Sequence, residues 1–322
     1  MLSNSKVLQL FTAAATLLVM SCQKDFVVED DIDVPVVTGD SNYLSKVYHV
    51  LSNGMVNDTF ITQSYQYDNS KRVTSIVVID QPSVLHPNIT NASKQEWFFN
   101  YNGSAMLPYK TSFMLNSVAP SSSSSDTLNT FHFFNAAEIK LKDSAVYETR
   151  STTAATGLFH SVERLVSSYS YSGNKRYGIS NSTTSYIFPS QPDFSYSLRD
   201  TVVTDTRGNA VSFIQYEMGS GQPINEEQYT YESSVSPMAK LNVNKALSLT
   251  SVDTTIYPVA QTYNNRAKTQ WATFIPAIPY QSQDLAGKYL LNAAGFPSQI
   301  NMGPNRDFPN LYYRVYFIYR HF

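Results

Sequence analysis

The stretch that decides the fold is Tyr65-Gln66-Tyr67-Asp68-Asn69-Ser70-Lys71-Arg72-Val73-Thr74-Ser75-Ile76. Aromatic and β-branched residues alternate with other residues on both sides of Asp68, and this period of two predicts β-strands. Asp, Asn and Ser between the two runs favour a tight turn, because their short polar side chains bond to nearby backbone. The stretch therefore predicts a β-hairpin.

Similar units recur along the rest of the chain. Each places a small polar turn residue after an aromatic-rich strand, at intervals of 27 to 37 residues. Such an interval fits two strands of about eight to eleven residues, a tight turn and a return loop. The predicted turns lie at Asp68, Asn102, Asn135, Ser172, Asp205, Glu232, Asn264 and Asn292.

These hairpins, together with a strand near residues 43–51, predict an all-β fold. The expected architecture is a large antiparallel meander of about 16 strands. Because an open twisted sheet of that size curls, splits or closes, we expect a barrel or a deep crescent. A closed barrel of this size would enclose a lumen. A helical turn or two is expected only around residues 237–247.

The hairpin units resemble degenerate YD-type repeats, with the pattern Y-x-Y-D-x-x-G-R-V-x-x-I. In the unit that begins at Tyr65, Asp68 completes the Tyr-Asp pair, and Ser70 and Lys71 are placed where the pattern has Gly-Arg. Units of this kind extend over residues 59–322 and follow the N-terminal motif described next. In this arrangement the chain is similar to a family of uncharacterised lipoproteins from Gram-negative bacteria. The resemblance implies a porin-like fold and no known catalytic residues.

The N-terminal residues are typical of a lipoprotein signal peptide, which we place at 1–21. Lys6 precedes an apolar run that is too short to cross a bilayer as a helix. The string Leu18-Val19-Met20-Ser21-Cys22 resembles the bacterial lipobox, in which the cysteine is acylated on sulfur and becomes the new N-terminus. Cys22 is the only cysteine of the chain, so we expect it to carry a lipid anchor. The alternative is a buried cysteine that follows an apolar stretch.

The residues after the cysteine are acidic, and we expect 22–42 to form a flexible tether before a hairpin-repeat domain at 43–322. Lys24 and Asp25, with the acidic run from Glu29, resemble a signal that exports lipoproteins to the outer face of the outer membrane. The same charges also fit a solvated tether with no signal role. The first interpretation predicts an outer-membrane, lipid-anchored protein that is exposed at the cell surface.

Composition excludes several classes of protein. A chain with 15% charged and 13% aromatic residues is neither disordered nor a coiled coil. Its 23 Lys and Arg against 25 Asp and Glu leave no basic excess for nucleic acid. A single cysteine excludes a disulfide framework and a cysteine-based zinc site. We expect no metal, cofactor or nucleic-acid partner.

The sequence shows no motif of a metalloprotease, serine hydrolase, P-loop or dinucleotide-binding protein. The five histidines are scattered. Glu226 and Glu227 are expected to be loop charges, because adjacent strand residues would face opposite ways. We therefore expect no enzymatic activity. A hydrolase built from loop carboxylates would need two of them at catalytic separation.

Four tripeptides of the form Asp-Ser/Thr-apolar resemble sites at which some Gram-negative bacteria attach O-glycans. The candidate hydroxyls belong to Thr127, Ser144, Thr201 and Thr254. The serine-rich run at 120–126 is expected to be a flexible loop.

The aromatic residues alternate along strands, so we expect most of them to pack in the core or to line a lumen. Trp97 and Trp271 could instead stack on sugar rings if they are exposed.

Two functions remain open. The first is a non-enzymatic, lipid-anchored envelope protein with a binding or scaffold role toward a glycan or protein. The second is a barrel-type carrier or pore for an apolar ligand or solute. Arg320, on a face of the last strand, would cost about 2–4 kcal/mol at lipid depth, which favours a tethered protein over a membrane-spanning one.

Overall fold

The fold is a single large antiparallel sheet of 17 strands. The structure, a computed structural model, describes residues 43–86, 90–119, 121–154, 157–237, 241–246, 264–274, 277–284, 288–304 and 310–320. The strands are β1 Tyr43–Ser52, β2 Asn57–Tyr67, β3 Val73–Asp80, β4 Ala92–Asn100, β5 Lys110–Ala119, β6 Ser122–Phe134, β7 Lys140–Thr153, β8 Gly157–Ser172, β9 Lys175–Phe188, β10 Gln191–Thr204, β11 Ala210–Glu217, β12 Pro223–Val235, β13 Asn264–Phe274, β14 Ala277–Asp284, β15 Tyr289–Leu291, β16 Pro297–Pro304 and β17 Tyr312–Arg320.

The sheet is a meander that curls back on itself. From β1 to β14, and again from β15 to β17, each strand pairs with the next. One further pairing joins β1 to β17, with Tyr43 opposite Arg320. The predicted all-β meander of about 16 strands is confirmed.

The strands β14 and β15 mark the one place where consecutive strands do not pair. Strand β14 pairs with β13, and β15 pairs with β16. Because every pair in the sheet is antiparallel, β14 and β15 run in the same direction. Among the described residues no strand pairing joins β14 to β15, so the sheet is not closed there.

The hairpin turns share one local geometry, which explains the sequence repeat. At the first turn, Asp68 Oδ1 accepts hydrogen bonds from the backbone N–H of Ser70 at 2.9 Å and of Arg72 at 3.0 Å. The side chains of Asn135, Asp205 and Asn292 accept the same two bonds, from residues two and four positions further on. These Asx turns fix the hairpins locally.

The repeat alignment at the first turn is wrong by one residue. Lys71, not Ser70, has the left-handed backbone conformation, with φ of 63°, which is the conformation that glycine favours. Arg72, not Lys71, pairs its guanidinium with Asp68 at 2.7 Å. Lys71 and Arg72 therefore stand at the Gly and Arg positions of the pattern.

Two predicted turns are wrong, because their residues lie in strands. Glu232 lies within β12, and Asn264 begins β13. The connection between β12 and β13 is much longer than the other turns, which breaks the repeat. The predicted helical turn is confirmed as a short 3₁₀ helix, Asn242–Lys245.

Two segments expected to be loops are strands. Most of the serine-rich run forms the start of β6, where Ser123 lies opposite Val118 on β5 and Thr152 on β7. Pairing on both edges satisfies the backbone polar groups, which outweighs the flexible composition. Glu226 and Glu227 lie on β12 and not in a loop.

One half of the inner face of the sheet is apolar. It is formed by β16, β17 and β1 to β5, where Trp97 and Phe113 pack with ring centroids 4.3 Å apart. The segment 241–246 covers this half at the end where the Asx turns lie, called the turn end below. Its Asn242 accepts the N–H of Val73 at 3.0 Å and donates to the hydroxyl of Tyr101 at 2.9 Å. Trp97 packs in the core as expected, whereas the side chain of Trp271 lies outside the described residues.

Candidate functional site

The inner face of β6 to β10 is largely polar, and a small apolar cluster of Val202, Ala210, Phe213 and Tyr229 adjoins it on β10 to β12. The ionisable side chains of the polar part form two groups. The ion network lies near the turn end, and the inner wall lies toward the far ends of β6 to β10. The ion network comprises His132, Lys140, Asp143, Tyr169, Arg176 and Asp200. The inner wall comprises Asp126, Tyr147, Phe159, Glu163, Ser182, Tyr186, Phe194 and Tyr196.

The carboxylate of Asp143 is the centre of the ion network. It accepts hydrogen bonds from His132 Nδ1 at 2.8 Å and from the Tyr169 hydroxyl at 2.9 Å, and it pairs with Lys140 Nζ at 2.6 Å. The Nε2 atom of His132 lies 2.7 Å from the hydroxyl of Thr111. Asp143 and Lys140 are each only 5–6% exposed. The carboxylate is thus fully supplied with donors from the protein itself.

Burial opposes the charged forms in this network, and it lowers the pKa of Lys140 even beside Asp143. Burial raises the pKa of Asp143, but the hydrogen bond from His132 and the charge of Lys140 outweigh it, so the pKa is lowered overall. Burial lowers the pKa of His132 more than Asp143 raises it, which keeps the imidazole neutral. Lys140 also donates to the backbone carbonyl of Ala246. The network therefore ties the segment 241–246 to β7.

A second ion pair adjoins this network. Arg176 lies 3.1 Å from Asp200, and both side chains are buried. Asp200 lies directly over Gly178, where an added Cβ would stand 2.1 Å from the Asp200 carboxylate. Only glycine leaves room for the pair at that position. Because the two ion pairs balance in charge and use partners from the protein, we assign the network a structural role.

The sequence pattern does not reveal the ion network, because a β-bulge changes which residues of β7 share a face. Lys140 and Asp143 are three residues apart, so a regular strand would place them on opposite faces. The register between β6 and β7 shifts at Phe133 and Phe134, which lie opposite Lys142 and Lys140. The bulge turns Lys140 inward beside Asp143.

The inner wall joins two carboxylates to tyrosine hydroxyls. Glu163 accepts a hydrogen bond from the Tyr196 hydroxyl at 2.8 Å and another from Ser182. Asp126 receives hydrogen bonds from the side chains of Tyr147 and Thr149. Burial raises the pKa of Asp126, against the opposing effect of those hydroxyls. Its Oδ1 atom is buried without a hydrogen-bond partner among the described residues.

Two ring pairs border these carboxylates on the same face. Phe159 and Tyr186 meet edge to face at 6.2 Å, and Phe194 lies 5.8 Å from Tyr196. Phe194 is 55% exposed, so solvent reaches this part of the wall. The inner wall lies toward the far ends of long strands, since β6 to β10 have 13 to 16 residues each.

Strand register places the two carboxylates of the wall on either side of β7, near Tyr147. Tyr147 on β7 lies opposite Glu163 on β8, and Asp126 on β6 lies opposite Thr149 on β7. Among the ion pairs between described side chains, none involves Asp126 or Glu163. The wall is therefore acidic, aromatic and rich in hydroxyl groups.

The candidate O-glycosylation residues do not form one site. Asp126, Asp143 and Asp200 are buried on the inner face, so alternation puts their neighbours Thr127, Ser144 and Thr201 on the outer face. Their modification stays a prediction. Thr254 and the N-terminal Cys22, Lys24 and Asp25 lie outside the described residues.

Two further findings concern the part of the chain that the structure describes. There, no group of three or more His, Cys, Asp or Glu side chains could hold a metal ion. No helix in those ranges has both the length and the apolar character needed to cross a membrane.

Comparison with solved structures finds a distant similarity. The chain is similar to a porin-like protein. That protein, from Bacteroides vulgatus ATCC 8482, shares 11% sequence identity and a TM-score of 0.46, and the match covers 87% of this chain and 99% of that chain. No protein-family model and no curated protein matches the sequence. The YD-repeat and lipoprotein assignments stay predictions.

Proposed function

We propose that this protein is a non-enzymatic lipoprotein of the cell envelope that binds a glycan on its inner wall. The observation that carries the proposal is the combination of ring pairs, tyrosine hydroxyls and two carboxylates on one inner face. Acyl chains on Cys22 would hold the protein at the outer membrane, with the acidic residues after it directing it to the cell surface.

The chemistry of the inner wall suits a sugar. Aromatic faces pack against the apolar C–H faces of sugar rings, and carboxylates accept strong hydrogen bonds from sugar hydroxyls. The exposed ring of Phe194 provides the first kind of contact, and Glu163 provides the second. An acidic wall repels acidic glycans, so neutral or amino sugars fit it best.

The alternative function, a carrier for an apolar ligand, is less well supported. It would place the ligand among the inward aromatic rings. In the apolar half, Trp97 and Phe113 pack against each other, and the buried Leu241 and Val243 of the covering segment belong to the same cluster. Those rings are already occupied by contacts within the protein.

Glycan binding can be tested by removing one ring and one carboxylate of the wall. Phe194→Ala and Glu163→Gln are each expected to weaken binding by roughly two- to tenfold, the range of a single aromatic contact. The measurement is isothermal titration of the purified full chain with a neutral oligosaccharide selected on a glycan array.

The matched control is Phe133→Ala, which removes a similarly exposed ring, 48% exposed, from the outer face. Its affinity should equal that of the wild type. Equal affinities for all three variants would contradict the assignment of the wall. Release of new reducing ends by the wild-type protein would contradict a non-enzymatic role.

The anchor is tested separately. Metabolic labelling with an alkyne fatty acid is expected to mark the wild-type protein, and Cys22→Ser should abolish the label and release the protein from the membrane fraction. A Cys22→Ser protein that still carries the label would disprove Cys22 as the attachment point.

A further inference from the structure

The outer face of β5 to β10 carries a compact group of basic and apolar side chains toward the turn end. Register places Phe133, Lys142, Ser168, Ile179 and Arg199 in one row across the strands. Neighbouring rows add further cations and apolar groups. We call this surface the basic–aromatic patch, and its members are Lys110, Phe131, Phe133, Lys142, Val146, Arg164, Val166, Lys175, Tyr177, Ile179 and Arg199.

The charge of the patch is of one sign. It contains five cations, whereas the whole chain has a formal charge of −2. No ion pair between described side chains involves any of the five. The bordering carboxylate, Glu148, is engaged by Arg150 at 2.6 Å and His160 at 2.8 Å. Five uncompensated cations therefore share one face.

The apolar members are exposed beside these cations. Phe131, Phe133, Val146, Val166 and Ile179 each expose more than a third of their surface. Lys110 lies over the ring of Phe131 at 5.5 Å and Lys142 over that of Phe133 at 5.8 Å. Aromatic and aliphatic groups interleaved with Lys and Arg are typical of surfaces that enter the membrane interface.

We propose that the basic–aromatic patch docks onto an anionic membrane surface. The cations match lipid phosphates, and the exposed rings and aliphatic groups lose their contact with water in the headgroup region. A soluble polyanion would neutralise the cations but leave the apolar groups exposed, so a membrane accounts for both. Tyr43, where β1 begins, packs against Tyr67 beside the first Asx turn, so β1 begins at the turn end, toward which the patch also lies.

Docking excludes two of the candidate modifications. Ser144 lies opposite Phe131 and Val166, and Thr201 lies opposite Tyr177. A glycan on either hydroxyl would hold the patch away from a membrane.

The test uses the mature chain, residues 22–322, with Cys22→Ser, so that neither an acyl chain nor the apolar run of the signal peptide contributes to binding. We expect the protein to float with vesicles of phosphatidylglycerol and phosphatidylethanolamine, less so at high salt, and not with vesicles of phosphatidylcholine alone. Lys142→Gln combined with Arg199→Gln should weaken partitioning about 25-fold, since each cation contributes about fivefold.

The matched control is Lys46→Gln combined with Arg314→Gln, which removes the same charge from the outer faces of β1 and β17, outside the patch, where no ion pair between described side chains involves either cation. This control should leave partitioning unchanged. A loss as large as that of the patch variant would show that vesicle binding depends on net charge and not on the patch. Phe131→Ser combined with Phe133→Ser should weaken vesicle binding but not binding to dextran sulfate. No effect of these changes on vesicles, or no flotation by the parent protein, would overturn docking. Oligosaccharide affinity should be the same in all these variants, which separates this inference from the proposed function.

Discussion

Replacing Lys140 by Met is expected to lower the free energy of unfolding by about 3–5 kcal/mol. The ammonium group is the buried counter-charge of Asp143, 2.6 Å away. Without it the carboxylate keeps the hydrogen bonds of His132 and Tyr169 but stays in a poorly solvated site. The variant also loses the bond from Lys140 to the carbonyl of Ala246. Urea denaturation followed by tryptophan fluorescence measures the change.

Lys142→Met is the matched control, because Lys142 lies two residues away on the exposed outer face. Its free energy of unfolding should stay within about 0.5 kcal/mol of the wild type. The double variant Lys140→Met with Asp143→Asn should be more stable than the sum of the single effects, since the unpaired charge is removed. Additive effects would show that the two side chains do not form a coupled pair.

Trp97→Ala is expected to destabilise the protein by about 3–5 kcal/mol. The indole is 4% exposed and stacks on Phe113 in the centre of the apolar half. Its removal leaves a cavity between strands that pair along their full length, so neighbouring side chains can fill it only in part. The midpoint and slope of a urea transition, followed by circular dichroism, measure the loss.

Phe98→Ala tests whether the expected loss of stability depends on the buried position of the ring or on the removal of any aromatic ring from β4. Phe98 is the next residue on β4, faces outward and is 38% exposed. We expect a change within about 1 kcal/mol, because a substantial part of its ring is already in contact with water and its removal leaves no enclosed cavity. A loss as large as that of Trp97→Ala would disprove the assignment of inner and outer faces on β4.

Local chemistry explains which parts of the fold the sequence predicts. Asp68, Asn135, Asp205 and Asn292 close their turns by bonding to backbone within four residues, so their sequence signature is sufficient. Glu232 follows the same aromatic alternation, but the strand continues. The serine-rich run becomes a strand because of its neighbours β5 and β7, which composition does not report.

The site was less predictable, because it depends on register. Asp126 and Glu163 become neighbours through β7, and no local pattern marks that pairing. In the tripeptides at 126–128, 143–145 and 200–202, the sequence pattern predicts a role for the hydroxyl residue. In the structure it is the preceding aspartate that is buried on the inner face. Alternation counted along β7 from Asp143 would also place Lys140 on the outer face, because it does not register the β-bulge at Leu141.

The pairing of β1 with β17 has a consequence for biogenesis. Leu44 and Val47 on β1 are buried together with Val315 and Phe317 on β17, yet almost the whole chain separates them. On the ribosome, one edge of β1 stays unpaired until residues 312–320 have emerged, and such an edge invites intermolecular association. A chaperone that shields this edge of β1 during synthesis or export would lower the risk of association until the last strand covers it.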